Sequence, residues 1–147
     1  MGYNFIQSNL AMGSFPPVHT PLPFDTIVLC AIELQYPSNV LEVRKVIHAP
    51  LDDSLFPITN NEKKIAIHAA NQVSNLMCSG RKVLVTCHMG RNRSGLVTAL
   101  ALMNYGMSAD RAIQLIRAER GQKTLRNRSF VDFLHSRPYG NVDWAAT

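Results

Sequence analysis

Cys87 and Arg93 stand with five residues between them in Cys87-His88-Met89-Gly90-Arg91-Asn92-Arg93, and Ser94-Gly95 follows. A thiolate is a strong nucleophile, and a guanidinium is a planar fork matched to two phosphate oxygens, which lysine cannot reproduce. The run Val83-Leu84-Val85-Thr86 reads as a buried strand delivering Cys87, and Arg93-Ser94-Gly95 opens a helix. A tightly curled loop between them aims successive backbone N–H groups at one centre. The helix adds its own free N–H groups and the positive end of its dipole. Together these make an anion trap. Gly90 permits the curl where a side chain would be crowded out. The same field draws Cys87 toward its thiolate and sets it against a bound phosphate. Ser94 is placed to donate its hydroxyl to the departing sulfur. His88, Met89, Gly90, Arg91 and Asn92 supply amides to the phosphate alongside Arg93, while the His88 side chain belongs to the rim.

The elements that must position this loop follow from periodicity. Thr26–Cys30, Val43–Ile47 and Lys82–Thr86 are short, rich in β-branched residues and bounded by turn residues, as buried strands are. Thr59-Asn60-Asn61-Glu62 is a capping-box sequence, and Ile65, Ala69, Val73 and Leu76 extend one apolar stripe from it toward Gly80. A second helix is expected from Ser94 to near Gly106, with Leu96, Val97, Leu100 and Ala101 inward. A third starts after Ser108 with Ala112, Ile113, Leu115 and Ile116, and a fourth carries Phe130, Val131, Phe133 and Leu134. Strands followed by helices at this spacing predict an α/β fold, a small, largely parallel sheet flanked by helices. The first two dozen residues, rich in Pro and Gly, read as extended chain and turns wrapped over the domain.

Bulk properties narrow the class. The 147 residues suit one domain with a real core, and no repeat or low-complexity tract marks a linker. Hydrophobic residues at 46% and charged ones at 17% exclude a disordered chain. No apolar run reaches a membrane span, and the N-terminus lacks the pattern of a signal peptide, so a cytoplasmic location is expected. Three cysteines without a C-x-x-C pair exclude a disulfide scaffold and a structural zinc site, and Cys30, inside an apolar strand, reads as an inert thiol. His19, His48, His68 and His135 show no metal spacing. Neither a metal nor an organic cofactor is called for. The formal charge of +5 favours anionic partners mildly. Arg117, Arg120, Lys123, Arg126 and Arg128 read as a solvated face or, with Arg91, as a steering patch for polyanionic substrates.

Cys87, Gly90, Arg93 and Ser94 reproduce a signature that resembles the protein-tyrosine-phosphatase superfamily, and most closely its compact dual-specificity branch. The resemblance extends over residues 9–136, leaving short extensions of a single domain spanning 1–147. Asn9 to Ser14 is similar to that branch's entry motif, Leu51 to Thr59 to its general-acid loop, and Arg117 to Leu134 to its C-terminal helix pair. The resemblance implies a cysteine-dependent phosphatase that acts on phosphorylated proteins, as a monomer. Cys87 attacks phosphorus, Arg93 holds the phosphate, and a carboxylic acid protonates the leaving oxygen. Spacing to Phe56 and Thr59 favours Asp52 as that acid. Asp53 stays open, as does a plain turn-forming role for both. The family usually places His before the nucleophile, where this chain has Thr86, whose hydroxyl would replace that brace only in part. Asn92-Arg93-Ser94-Gly95 also resembles the loop of RNA 5′-triphosphatases in the same superfamily. An RNA or inositol phosphate substrate is therefore the alternative within enzymes. A phosphate-binding pseudophosphatase is the alternative outside them.

Overall fold

The structure is a computed structural model in which residues 2–138 are described; Met1 and most of the short C-terminal extension lie outside them. Five strands form one sheet in the order β1-β2-β5-β3-β4. They are β1 (Tyr3–Gln7), β2 (Leu10–Ser14), β3 (Thr26–Ala31), β4 (Lys45–Leu51) and β5 (Val83–Cys87). β1 pairs antiparallel with β2, and the other pairings are parallel. The helices are α1 (Asn60–Cys78), α2 (Arg93–Asn104), α3 (Ala109–Arg120) and α4 (Arg128–Ser136). The expected fold class is the one observed. None of these helices is long and apolar enough to cross a membrane.

Side-chain alternation along the strands divides the core. Val28, Cys30, Val83 and Val85 face a layer built from all four helices. Ile27, Leu29 and Leu84 face the opposite layer, which Phe24, Leu41 and the chain around Tyr36 and Val40 close. A strand buried on both faces reads as a continuous apolar run, which is why the strands expected at Thr26–Cys30 and Lys82–Thr86 were legible to within a residue of the observed Thr26–Ala31 and Val83–Cys87.

Two expectations need correction. The N-terminal chain does not simply wrap the domain: residues 3–14 form two strands, and β2 is wholly buried in the sheet beside β5. The five residues Leu10-Ala11-Met12-Gly13-Ser14 include no β-branched or aromatic residue and carry too little β-propensity to announce a strand; parallel pairing with β5 supplies what local sequence lacks. Only the later part, through Leu22 and Phe24, covers a sheet face. The strand expected at Val43–Ile47 runs instead from Lys45 to Leu51 and includes Pro50. It is an edge strand, where a residue without an N–H costs no ladder bond. The shift has a consequence for chemistry: β4 delivers Asp52 directly at its C-terminal end, beside the end of β3 and on the same sheet edge as the end of β5.

The capping box at Thr59 is formed in full. The Thr59 hydroxyl accepts from the Glu62 N–H at 3.1 Å, and Glu62 Oε1 accepts from the Thr59 N–H at 3.1 Å. Ser108 and Asn127 cap α3 and α4 through the N–H groups of Arg111 and Phe130.

Candidate active site

The C-terminal ends of the parallel strands converge on one edge, the position at which open α/β sheets bind ligands. β5 ends on Cys87, residues 88–92 form the loop, and α2 begins at Arg93. Cys87 is 3% exposed, and its Sγ lies 3.2 Å from Ser94 Oγ. The predicted nucleophile and its hydroxyl partner are therefore in contact. Cys30 occupies the neighbouring strand; burial pushes its thiol well up, the Cys87 charge adds to this, and Arg93 opposes it. It remains an inert core thiol, as its apolar surroundings suggested.

Gly90 adopts φ 66°, and a Cβ there would stand 2.7 Å from the Gly13 backbone and 2.4 Å from Arg120 Nη2. The loop is thus packed against the β2 terminus on one side and α3 on the other. Arg120 donates from Nε to Gly90 O at 3.0 Å and from Nη1 to Asn4 Oδ1 at 2.7 Å. Arg117 donates to the carbonyls of Thr124 and Leu125 at 3.0 and 2.7 Å. Whatever they present to solvent, these two residues of the basic cluster also hold backbone in place. Gly95 has a similar reason. A Cβ there would meet Leu125 Cγ at 2.7 Å, so the Arg-Ser-Gly order lets the buried Leu125 seat against α2.

Arg93 is 6% exposed. Its Nη1 and Nη2 donate to Glu33 Oε1 and Oε2 at 2.5 and 2.8 Å, and Nη1 also reaches Leu51 O at 3.1 Å. Its Nε is buried and meets no acceptor among the described residues, leaving one donor of the fork for an oxyanion. Burial works against the Arg93 charge; the Glu33 bonds, with the charges of Cys87, Glu33 and Asp53, outweigh it and raise its pKa. The Arg93 bond holds the Glu33 carboxyl down at about 2. Sequence reasoning missed Glu33. The available signal was its place just past the apolar β3, in a 3-10 turn at Ile32–Leu34 on the same sheet edge as Cys87.

His88 lies on the rim, half-buried, with Nδ1 3.5 Å from Glu33 Oε2 and its ring edge-on to Phe15. Thr86 turns away from the loop. Its hydroxyl donates to Val28 O at 2.9 Å, so it ties β5 to β3 and gives the loop no brace. Met89 is exposed, and Arg91 lines a hollow of about 560 Å³ with Asn4, Arg120 and Lys123. Asn92 precedes α2 but does not cap it with its side chain, so the first N–H groups of the helix stay available.

Both candidate acids lie on the exposed segment after β4. The Asp52 N–H donates to Glu62 Oε2 at 3.1 Å. Against the cost of desolvation, this bond and those from Thr59 lower the Glu62 pKa. Asp53 turns its carboxylate to Asn92 and Asn127, whose Nδ2 groups donate at 2.9 and 2.7 Å. The structure thus brings the Cys87, Ser94, Arg93 group together with an unanticipated Glu33 and joins the acid segment to the loop through Asp53.

The family described as "Dual specificity phosphatase, catalytic domain" matches residues 8–137. No curated protein sequence matches the chain. Among solved structures, Tk-PTP in a mutant form is 26% identical with a TM-score of 0.73, covering 92% of this chain and 95% of its own. Human DUSP28 is 18% identical with a TM-score of 0.78, covering 92% of each chain. OH1 from the Orf virus, described as a tyrosine phosphatase with triple substrate specificity, is 21% identical with a TM-score of 0.68 over 91% of this chain and 84% of its own.

Proposed function

The chain belongs to the dual-specificity phosphatase catalytic-domain family, and from that membership we propose that it hydrolyses phosphate monoesters on proteins through a phosphocysteine intermediate. The observation that carries this reading is the pairing of Cys87 Sγ with Ser94 Oγ at 3.2 Å beneath a loop whose Arg93 retains a free buried Nε donor.

Cys87 attacks phosphorus in line with the leaving oxygen, and the S–P bond forms as the P–O bond breaks. Arg93 and the amides of residues 88–92 hold the equatorial oxygens, where negative charge concentrates. Asp52 gives its proton to the departing oxygen. Water then attacks the phosphocysteine, Asp52 takes a proton from it, and Ser94 donates a hydrogen bond to the sulfur as the thiolate leaves. Glu33 holds the guanidinium in the plane this requires. No step calls for a metal.

Support for Asp52 is its place at the end of β4 together with the bond that fixes its backbone to α1. A second reading, RNA 5′-triphosphate or inositol phosphate hydrolysis, is favoured by the hollow beside the loop, where Arg91, Arg120 and Lys123 present positive charge. A comparison of phosphopeptide, phosphoinositide and RNA 5′-triphosphate turnover by one preparation decides between them. Phosphopeptide turnover is expected to dominate and to vanish in Cys87→Ser. A preference for either polyanion would transfer the assignment to the second reading, and Cys87-independent turnover would end the covalent one.

A further inference from the structure

We propose that Asp53, Asn92 and Asn127 form a buckle that fastens the acid segment to the phosphate loop, so that Asp53 and Asn127 are positioning residues for the acid Asp52. The proposal rests on the function given above for Cys87 and Asp52.

The three side chains come from segments far apart in sequence. Asn92 is the last loop residue before Arg93, Asp53 follows β4, and Asn127 caps α4. Each Asp53 oxygen takes one amide donor, Oδ2 from Asn92 at 2.9 Å and Oδ1 from Asn127 at 2.7 Å. Asn127 Nδ2 also donates to Ser54 O at 3.1 Å. Asn92 uses its other end as well, Oδ1 accepting from the N–H groups of Arg126 and Asn127 at 2.8 and 3.0 Å. Asn127 Oδ1 accepts from the Phe130 N–H and the Ser129 hydroxyl, each at 3.2 Å. Both amides are therefore fixed in orientation by the donors their oxygens accept, and their donor ends face the Asp53 carboxylate, that of Asn127 being shared with Ser54 O.

This geometry separates the two aspartates. A general acid must carry a proton and turn it toward the leaving group. Both Asp53 oxygens are committed to N–H donors that cannot be reversed, so a proton there would displace a bond. Asp52 has its backbone fixed on one side by Glu62 and on the other by the buckled Asp53, while its side chain makes no hydrogen bond among the described residues. An exposed acid held at both flanks is preorganised at little cost in mobility, and orientation of this kind carries a large share of catalysis. The buckle also explains why Asn92 leaves its helix uncapped. Its side chain is spent on the acid segment, and the helix N–H groups are left for the phosphate.

The test reverses the polarity of the buckle. Asn127→Asp keeps an N-cap acceptor of equal quality but sets a carboxylate against Asp53. Asp53→Asn keeps an acceptor toward Asn92 but sets an amide donor against the Asn127 donor. In the double variant the amide at 53 donates to the carboxylate at 127 and still accepts from Asn92, so both contacts of residue 53 re-form, while the bond from residue 127 to Ser54 O stays lost. Each single variant is expected to lose about 10-fold in kcat on a phosphoserine-type peptide. KM should change little, and the basic limb of the pH profile should stay in place. The double variant should regain most of that loss. Backbone deuterium uptake over residues 52–58, read without substrate, should rise in both singles and return in the double. A double variant as impaired as its worse parent overturns the proposal, and so does loss of the basic limb in Asp53→Asn, which would make Asp53 the acid. Unchanged deuterium uptake in the singles overturns it as well, and that arm decides even if the native protein lacks Cys87-dependent turnover, a result that would sink the function and not the buckle.

Discussion

The phosphate loop and the acid segment touch each other through Asn92 and Asp53, yet they are held in opposite ways. The loop is built into the core: Cys87, Gly90 and Arg93 are buried, and Arg120, Glu33 and Gly13 press on it from neighbouring elements. The acid segment lies in solvent, with Asp52, Leu55 and Phe56 exposed and side-chain bonds to Glu62, Asn92 and Asn127 as its ties. A cradle for equatorial oxygens must not move between substrates, because preorganised donors act without reorganising. A proton donor must reach leaving groups of different size, and few, exposed ties suit that task. The contrast teaches that one site can divide rigidity and adjustability between two strand ends.

The largest expected effect breaks the adjustable half. Asp52→Asn should slow a phosphoserine-type substrate by about 100- to 10,000-fold, and an activated aryl phosphate, whose leaving group departs almost unaided, far less. Steady-state rates on the two substrates check it; equal losses on both would remove Asp52 from the acid role. Next comes the rigid half. Arg93→Lys keeps the charge but loses the fork and both Glu33 bonds, and should lower kcat/KM by about 100- to 1,000-fold on both substrates alike. A leaving-group dependence in that variant would blur the division drawn here.

Gly90→Ala sharpens the comparison in the currency of folding. A Cβ at 2.7 Å from the Gly13 backbone, at positive φ, must be relieved by shifting the loop. A stability loss of about 1–3 kcal/mol is expected in denaturant titration, together with weaker phosphate binding. A substitution in the exposed acid segment such as Leu55→Ala should stay within about 0.5 kcal/mol. The smallest effect lies away from both regions. Asp110 accepts from His135 at 2.7 Å and raises its pKa, followed by its bond to Val131 O. A raised histidine contributes stability that is full below its unfolded pKa and is lost as pH rises through the folded value. Asp110→Asn should therefore cost at most about 1 kcal/mol at mildly acidic pH and nothing at alkaline pH, and pH-resolved melting checks the sign.

The same contrast explains what the sequence revealed. The loop was legible because its parts are contiguous: a strand, a Cys, a Gly and an Arg-Ser-Gly helix start lie within residues 83–95. Its supports were not. Glu33, 60 positions from Arg93, and Arg120, 30 from Gly90, join it only through folding. Asp53 meets Asn127 across 74 positions, and nothing local in Asp52-Asp53 tells which carboxylate is gripped. Helix caps at Thr59 and Ser108 were readable, since capping is local, whereas the cap at Asn127 was not singled out. β2 was not, because its place in the sheet comes from its neighbour β5 and not from its own residues.

The central claim is that phosphate passes through Cys87, and trapping that intermediate tests it most directly. Asp52→Asn, mixed with an activated aryl phosphate and quenched in acid within the first turnover, should form the S–P bond readily and hydrolyse it slowly. Mass analysis of the digested protein should then place one phosphate on the peptide bearing Cys87, and Cys87→Ser should carry none and release no product. Phosphate on any other residue, or product release by Cys87→Ser at a rate near that of the native chain, would contradict the account.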